Sequence, residues 1–407
     1  MTSGDRQPVE RSERAVISYL AFLSVVMAFS VDTALPAFDE IRSSFDLDPT
    51  DSSVSLVITT YLLGLGLGQL VYGVVSDRFG RAPVLRGGLL VYAVGALGST
   101  LAPSLVTLLV SRFIWGLGAA APGGLRPAIA RDLYSGDRMA RVMSVVMAVF
   151  LMAPIVGPVV GELLVELGGW RAAMAGPGLL VVIGLVWSFK FGETLAPERR
   201  RPLQLRPIGR AVREIVRSRV TVGYALMLTV LFGAFFSFLG SSQPIIDNVY
   251  DRSEQFALFF GVNGAVMGLA LWRSSRSIER IGTATMLSLC MSVFLVAATV
   301  QLTVTTLSSG RPNVWLWLAT IATMNAATMV ISTSAMSLAL EPMQHIAGTA
   351  ASVVGAVSML GSAVLGSVID SRIDTTVTPM TVGYAVLGLV AALLMIWARS
   401  ATAPADQ

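Results

Sequence analysis

The sequence is poor in charged residues and in the side chains that bind metals. It contains one cysteine, Cys290, and one histidine, His345, in 407 residues, and only 13% of its residues are charged. A single cysteine excludes an intramolecular disulfide, and these two residues alone cannot build a zinc-type cluster. Because nucleophile–base pairs and metal centres draw on the same residue types, we expect no enzyme, no metal and no cofactor.

Apolar residues dominate what remains. They make up 54% of the chain, and a basic excess gives a formal net charge of +4. A soluble fold of this length cannot hide so much apolar surface in one core, so the composition indicates a lipid environment. The basic residues are spread over many short loops and do not form one patch, which argues against a nucleic-acid partner.

Long apolar segments recur along the whole chain. A membrane-spanning helix needs about 20 mostly apolar residues. The sequence predicts twelve such helices, at 15–37, 53–75, 83–102, 104–127, 140–164, 171–190, 219–243, 256–272, 283–304, 313–338, 346–369 and 379–398. The longest polar stretch follows the sixth of them. We therefore predict an all-α integral membrane protein with two six-helix halves, 1–190 and 219–407, joined by a linker at 191–218.

Charge in the short loops predicts the orientation. Arginines concentrate in alternate loops and in the linker, whereas the loops "FDEIRSSFDLDPTD" and "DNVYDRSE" are acidic. Cytoplasmic loops carry the excess of basic residues, so both termini are expected in the cytoplasm. Only Lys190 among the 29 basic residues is a lysine, a usage typical of GC-rich bacterial genomes. We expect a multi-pass protein of the bacterial cytoplasmic membrane.

An internal repeat supports the division into halves. "SDRFGRAPVL" at 76–85 aligns without gaps on "IERIGTATML" at 278–287, and both contain the pattern acid–arginine–x–glycine. Each segment falls between the second and third predicted helix of its half. Related halves with a binding site between them are common among secondary transporters.

Several motifs extend this interpretation to a family. The chain contains "GVVSDRFGR" from Gly73, "RFIWGLGAAAPGG" from Arg112, "GPVVGE" at 157–162, "VDTALP" at 31–36 and "AGTAAS" at 347–352. Together they resemble the major facilitator superfamily and, within it, the twelve-helix drug/proton antiporters. The likeness is greatest to the bicyclomycin/chloramphenicol-resistance exporters. Two positions depart from the usual motifs: Ala82 replaces a second basic residue, and Glu162 replaces a glycine.

The resemblance implies a function. It implies proton-coupled efflux of a small lipophilic drug, such as a chloramphenicol-like antibiotic, by alternating access in a monomer. The partners would be the small-molecule substrate, protons and the lipid bilayer. Export of an endogenous metabolite, and a gradient-independent facilitator or uptake permease, remain as alternatives. A channel is disfavoured because the sequence lacks a repeated filter motif.

The resemblance also implies conformational roles for two motifs. The loop after the second helix would act as a latch, with Asp77 against the start of the eleventh helix near Gly348 and Thr349. Arginines near this latch would complete a charge network that joins the halves when the protein faces outward. Prolines and glycines predict a kinked, closely packed fifth helix, which the resemblance assigns to sealing the bundle. The residues expected to take part in gating are Gly73, Asp77, Arg78, Gly80, Arg81, Arg131, Pro154, Gly157, Pro158 and Gly161.

Two ionisable residues lie inside predicted helices at similar depth. Asp32 is the only acid placed well within a predicted span, and Arg112 lies in the outer half of the fourth helix. Intramembrane ionisable residues are costly and are usually functional, so we assign proton coupling to this pair. The alternative is a permanent structural pair. A third residue, Arg126, faces the inner cavity or snorkels to the headgroups, and we favour snorkelling.

The substrate pocket is expected between the halves. The second half has almost no charge within its spans but offers aromatic and amide side chains, which suit a lipophilic compound with some polar groups. The residues assigned to substrate binding are Asp32, Tyr61, Arg112, Trp115, Phe235, Phe236 and Asn325.

Overall fold

The computed structural model describes residues 12–48, 52–200, 205–373 and 375–401. Within these residues twelve long helices cross the bundle. They are α1 Glu13–Asp32, α2 Leu56–Phe79, α3 Arg81–Thr100, α4 Leu105–Leu133, α5 136–167, α6 170–191, α7 Arg219–Pro244, α8 Phe256–Ile281, α9 Thr283–Leu307, α10 Val314–Leu340, α11 Ala347–Asp370 and α12 Thr378–Arg399.

Helices α5 and α6 are hydrogen-bonded as one stretch, Gly136–Phe191, but they are two spans. The break lies at Gly168 and Gly169, whose dihedral angles leave the helical range, and Gly169 has φ 70°. A Cβ added at Gly176 would lie 2.7 Å from the side chain of Leu164. Twelve residues of straight helix would separate these positions by about 18 Å. The chain therefore doubles back at the two glycines, and the predicted sixth span exists.

Some helices run past their predicted ends. α4 continues from the predicted residue 127 to Leu133, and α8 continues from residue 272 to Ile281. Both extensions carry arginines. Hydropathy marks only the length that lies in hydrocarbon, whereas a helix can continue into the headgroup region, so apolar length underestimates these helices.

Large apolar side chains cover the outer surface of the bundle. Leu307 is 83% exposed, Leu167 75% and Val106 70%. Apolar patches of this extent do not persist in water on a monomeric soluble protein. In a membrane, lipid chains would cover these side chains. In agreement, eleven of the described helical segments are long and apolar enough to cross a membrane, and one of these segments is the α5–α6 pair.

The helix ends define two faces of the bundle. We call the side that carries the α2–α3 turn at Gly80 and the linker helix Leu205–Arg217 the linker face. The other side, where α1 ends at Asp32 and α11 ends at Asp370, is the opposite face. The linker helix packs Ile215 against C-terminal-half residues. Residues 201–204 of the predicted linker lie outside the described part of the chain.

The two halves meet mainly along two helix pairs, α2 with α11 and α5 with α8. A Cβ added at Gly66 of α2 would lie 3.0 Å from Leu360 of α11, and one added at Gly264 of α8 would lie 3.0 Å from Pro154 of α5. Small residues allow this approach, as is usual where membrane helices pack. A site between the halves is therefore lined by α2, α5, α8, α11 and the helices beside them.

Candidate functional site

Arg112 is fully buried and holds the end of α1. Its Nη1 donates to the carbonyl oxygen of Ser30 at 2.8 Å, and its Nε donates to the carbonyl of Val57 at 3.1 Å. The last carbonyls of a helix lack intrahelical donors, and a cation is favourable at a helix C-terminus. Arg112 thus satisfies a carbonyl two residues before Asp32 and fixes the local backbone.

Close packing of α2 on α4 sets the position of this guanidinium. A Cβ at Gly64 would collide with the carbonyl of Phe113, and a Cβ at Gly116 would collide with that of Tyr61. The backbones approach so closely that the guanidinium carbon of Arg112 lies 4.8 Å from the Tyr61 ring centroid. It lies 4.7 Å from the ring of Trp115 as well. These cation–π contacts stabilise a buried charge that forms no ion pair among the described residues.

Asp32 is the last residue of α1 and is 5% exposed. Among the described residues it takes part in no ion pair, and Arg112 binds backbone carbonyls instead. The alternative of a permanent structural pair between Asp32 and Arg112 is therefore wrong in this structure. The assignment of proton coupling to the two residues stays a prediction. Tyr61 interacts electrostatically with both residues. The carboxyl group packs on Gly157 of α5, where an added Cβ would overlap Asp32.

Arg126 is buried, so the interpretation that it snorkels to the headgroups is wrong. It is 6% exposed; its Nη1 donates to Ser24 Oγ and its Nε to the Pro122 carbonyl at 3.1 Å. Its guanidinium also lies 5.6 Å from the Phe150 ring centroid. The side chain points toward α1 because Arg126 shares a helical face with Arg112. Polar partners inside the bundle hold it there.

The proline- and glycine-rich part of α5 lies between α1 and the second half. Gly157 and Gly161 face the end of α1, where a Cβ at Gly161 would lie 2.8 Å from the carbonyl of Thr33. On the other side, Pro154 packs on α8. Helical dihedrals persist through Pro154 and Pro158, and the first non-helical residues are Gly168 and Gly169, where α5 ends. α5 therefore connects the surroundings of Asp32 with the interface between the halves.

The α2–α3 turn is held by a buried arginine. Arg81 Nη1 donates to Asp77 Oδ1 at 2.6 Å, and Arg81 Nε donates to Asp132 Oδ2 at 2.9 Å. The turn requires Gly80, whose φ is 101°. The carboxylate of Glu193 accepts a hydrogen bond from the Arg81 backbone N–H at 2.9 Å. Sequence reasoning missed Asp132 and Glu193, although Asp132 directly follows Arg131 in the last turn of α4.

The predicted latch to the eleventh helix is not formed in this structure. Among the described residues Asp77 is bonded to Arg81 and makes no hydrogen bond to Gly348 or Thr349. Arg78 and Arg131 are exposed. In this conformation the charge network closes within the first half. A network that joins the halves is expected when the protein faces outward, and it stays a prediction. α2 still approaches α11 at Gly73, where an added Cβ would lie 3.7 Å from Ser352 Oγ.

A cavity of about 440 Å³ lies between the halves, on the side of the linker face. Its lining includes Gln69 of α2 and, from the second half, Phe232, Phe236, Met336, Ser358 and Met359. Of the predicted pocket residues, Phe236 lines this cavity. Phe235 is half-buried and packs on Phe232, with ring centroids 6.3 Å apart.

The other predicted pocket residues lie inside their own halves. Asn325 is fully buried; its Nδ2 donates to Asn263 Oδ1 at 3.0 Å, and the Tyr384 hydroxyl donates to Asn325 Oδ1 at 2.7 Å. These bonds tie α8, α10 and α12 together. Tyr61 and Trp115 are fully buried around Arg112. The structure thus groups the first-half residues around Arg112, apart from this cavity.

A second buried acid corrects the expectation that Asp32 is the only one. Asp370, the last residue of α11, is 3% exposed and accepts a hydrogen bond from Ser241 of α7 at 2.5 Å. The predicted span ended at 369, so hydropathy placed this acid just outside the membrane. The helix includes it because Gly240 leaves room for the carboxyl group beside α7.

Comparison with known proteins agrees with this architecture. The model of the Major Facilitator Superfamily matches residues 20–366. The chain belongs to the Major Facilitator Superfamily. It is 32% identical to a bicyclomycin resistance protein homolog of Haemophilus influenzae, over 96% of this chain and 98% of that one. It is 29% identical to a chloramphenicol resistance protein of Pseudomonas aeruginosa, over 87% and 82% of the two chains.

Among solved structures the chain is similar to a partially occluded, inward-open form of the xylose transporter XylE from E. coli. The TM-score is 0.74 with 13% identity, over 95% of this chain and 97% of that one. At this identity the likeness concerns the fold alone. Together with the family match it confirms the predicted twelve-helix major facilitator fold. The chain is a multi-pass membrane protein of a transporter family.

Proposed function

We propose that this major facilitator exports a small lipophilic compound of the chloramphenicol type by alternating access, in exchange for protons. The names of the bicyclomycin and chloramphenicol resistance relatives support the class of substrate. The observation that carries the proposal is Asp32, a carboxyl group buried at the end of α1 without a cationic partner among the described residues.

The chemistry of the cavity suits an uncharged, partly polar aromatic compound. The lining combines aromatic rings and methionines with an amide and hydroxyl groups and contains no charged residue. A volume of about 440 Å³ is within the range of small-molecule sites. Chloramphenicol has an aromatic ring, hydroxyl groups and an amide, so apolar contacts and a few hydrogen bonds would hold it.

Proton coupling follows from the surroundings of Asp32. An ionised carboxylate without a partner is costly in the membrane interior, so the neutral form is favoured while α5 packs on Asp32. Moving α5 away would admit water and allow the proton to leave. Arg112 keeps the end of α1 in place, and Tyr61 interacts electrostatically with both residues. Proton binding and the α1–α5 contact are thereby linked.

The orientation belongs to the same proposal. Arginines concentrate on the linker face, which we assign to the cytoplasm of a bacterial cell, with the protein in its cytoplasmic membrane. Both ends of the chain lie outside the described residues, and we propose that both face the cytoplasm. The cavity on this side would take up substrate from the cell interior. The partners are the substrate, protons and lipid, and the unit is a monomer.

Transport into proteoliposomes under an imposed pH gradient tests the proposal, with chloramphenicol as the probe. Wild type should accumulate the drug against its gradient, and Asp32→Asn should not exceed equilibration. Asp251→Asn, a change of the same type at an exposed position, is the matched control and should behave like wild type. Full gradient-driven transport by Asp32→Asn would contradict the coupling assignment. Equilibration by wild type itself would instead favour a gradient-independent facilitator or uptake permease.

If chloramphenicol is not transported at all, the substrate class is wrong. Growth of cells that express the chain, measured against a panel that includes bicyclomycin and chloramphenicol, decides this separately. Unchanged sensitivity across the panel would favour export of an endogenous metabolite.

A further inference from the structure

Asp370 has an environment that the proposed function does not use. It ends α11 at the opposite face, is 3% exposed, and accepts a hydrogen bond from the Ser241 hydroxyl at 2.5 Å. Gly240 lies directly beside it, and an added Cβ there would collide with Asp370 Oδ2. The carboxyl group therefore occupies a fitted space between α11 and α7.

The arrangement reproduces that of Asp32 with the roles of the helices exchanged. In the first half, an acid at the end of the first helix packs on Gly157 of the fifth helix. In the second half, an acid at the end of the fifth helix packs on Gly240 of the first helix. Both acids lie on the side of the bundle that we call the opposite face, and each glycine leaves space for the carboxyl group beside it.

Within the described part of the chain, no cation pairs with Asp370. α7 contributes hydroxyl groups. Tyr384 of α12 interacts electrostatically with Asp370 but donates its hydrogen bond to Asn325. Among the described residues Asp370 forms no ion pair. Asp39 and Arg42, the charged residues bonded near this end of α7, pair with each other at 2.5 Å.

A second side chain points to a ligand at this carboxyl group. Ser237 lies one turn before Ser241 on α7 and faces Asp370. Its hydroxyl is fully buried and, within the described chain, has no hydrogen-bond partner of normal geometry. A protonated carboxyl group can engage both hydroxyls: Ser241 donates to Oδ1, and the acid O–H can donate to Ser237 Oγ.

We propose that Asp370 is a second proton-binding carboxyl group, which takes its proton at the opposite face and carries it while that face is closed. Closure involves the first half, because Ser55, just before α2, lies against Gly240; a Cβ added at Gly240 would be 3.5 Å from Ser55 Cβ. Separation of α2 from α7 would uncover the site and let water exchange the proton. The inference rests on the proposed proton coupling and adds one proton site in the second half.

Infrared difference spectra of the purified full-length protein, recorded between alkaline and acid pH, test the proposal directly. The C=O stretch of a buried protonated carboxyl group is observed without any transport substrate. Wild type should show two buried carboxyl bands. Asp370→Asn should remove one, Asp32→Asn should remove the other, and the double variant should show neither. Asp251→Asn serves as the exposed control and should retain both bands.

Two further measurements make the result specific. Ser237→Ala keeps the carboxyl group but removes the proposed acceptor, so it should shift the Asp370 band without abolishing it. An unshifted band would overturn the assignment of Ser237 as the partner of Asp370.

Replacement of choline chloride by sodium chloride at constant pH should leave the Asp370 band unchanged. Loss of the band in sodium would mean a sodium site and would overturn the assignment of a proton.

The outcomes separate this inference from the proposed function. If Asp370→Asn folds as a monodisperse protein and its spectrum equals that of wild type, Asp370 does not bind a proton and the inference fails, whatever Asp32 does. If Asp370→Asn removes a band while Asp32→Asn removes none, the second site is supported and the coupling role of Asp32 fails.

Discussion

Replacing Gly157 by alanine tests whether the α1–α5 contact controls transport. An added Cβ at this position would overlap Asp32 Cβ and lie 3.2 Å from both Cγ and Oδ2 of Asp32. The neighbour is the base of a short side chain at a helix end, which Arg112 holds through the Ser30 carbonyl. Asp32 therefore cannot rotate away, and α1 and α5 must separate.

The magnitude follows from the cost of overpacking. Inserting a methyl group into a well-packed interior costs about 1–3 kcal/mol. If this cost applies only while α1 and α5 are in contact, the equilibrium between conformations shifts by about 5- to 140-fold toward the separated form. We expect Gly157→Ala to lower the rate of gradient-driven chloramphenicol transport within that range, and to lower the Tm of the purified protein.

Gly87→Ala is the matched control. Gly87 also lies within a helix, but an added Cβ there would meet no atom within 4 Å. Alanine in an open helical position is neutral or stabilising, because it restricts the unfolded chain. The reasoning is refuted if Gly157→Ala has the Tm and the transport rate of Gly87→Ala.

Two further predictions concern the linker face and the cavity. Arg81→Ala should lower the free energy of unfolding by about 3–5 kcal/mol, because it leaves the buried Asp132 carboxylate unpaired. In thermal unfolding, the double variant Arg81→Ala/Asp132→Asn should recover part of the lost stability. No recovery would contradict the pairing of Arg81 with Asp132. Phe236→Ala should raise the KM for chloramphenicol about 2- to 12-fold, because it removes an aromatic contact worth about 0.5–1.5 kcal/mol. Phe235→Ala should raise this KM less. A larger rise in KM for Phe235→Ala than for Phe236→Ala would exclude this cavity as the drug site.

Hydropathy predicted the helices well because the membrane thickness fixes their length. It identified the sixth span even though the hydrogen bonding of α5 continues into α6 through Gly168 and Gly169. The same measure failed at helix ends. It placed Asp370 one residue outside its span, because an apolar window cannot tell a solvated acid from one that Gly240 and Ser241 enclose.

Sequence reasoning found buried ionisable residues but not their partners. Burial of Arg112 follows from its position in an apolar helix, yet its bond to the Ser30 carbonyl depends on how α1 ends and on glycines that bring α2 and α4 together. The prediction for Arg126 was wrong because helical rotation gives only the face of α4 on which the residue lies. The direction of its side chain depends on Ser24 of α1, to which it donates a hydrogen bond. Contacts between helices depend on three-dimensional packing, which a single sequence does not specify.

The coupling of drug movement to proton movement is measured most directly in proteoliposomes loaded with chloramphenicol and a pH indicator, without an imposed pH gradient. We predict that outward flow of the drug drives protons inward through the wild-type protein. Asp32→Asn should pass the drug without this pH change. Drug efflux by the wild-type protein with no accompanying proton flux would contradict the exchange mechanism.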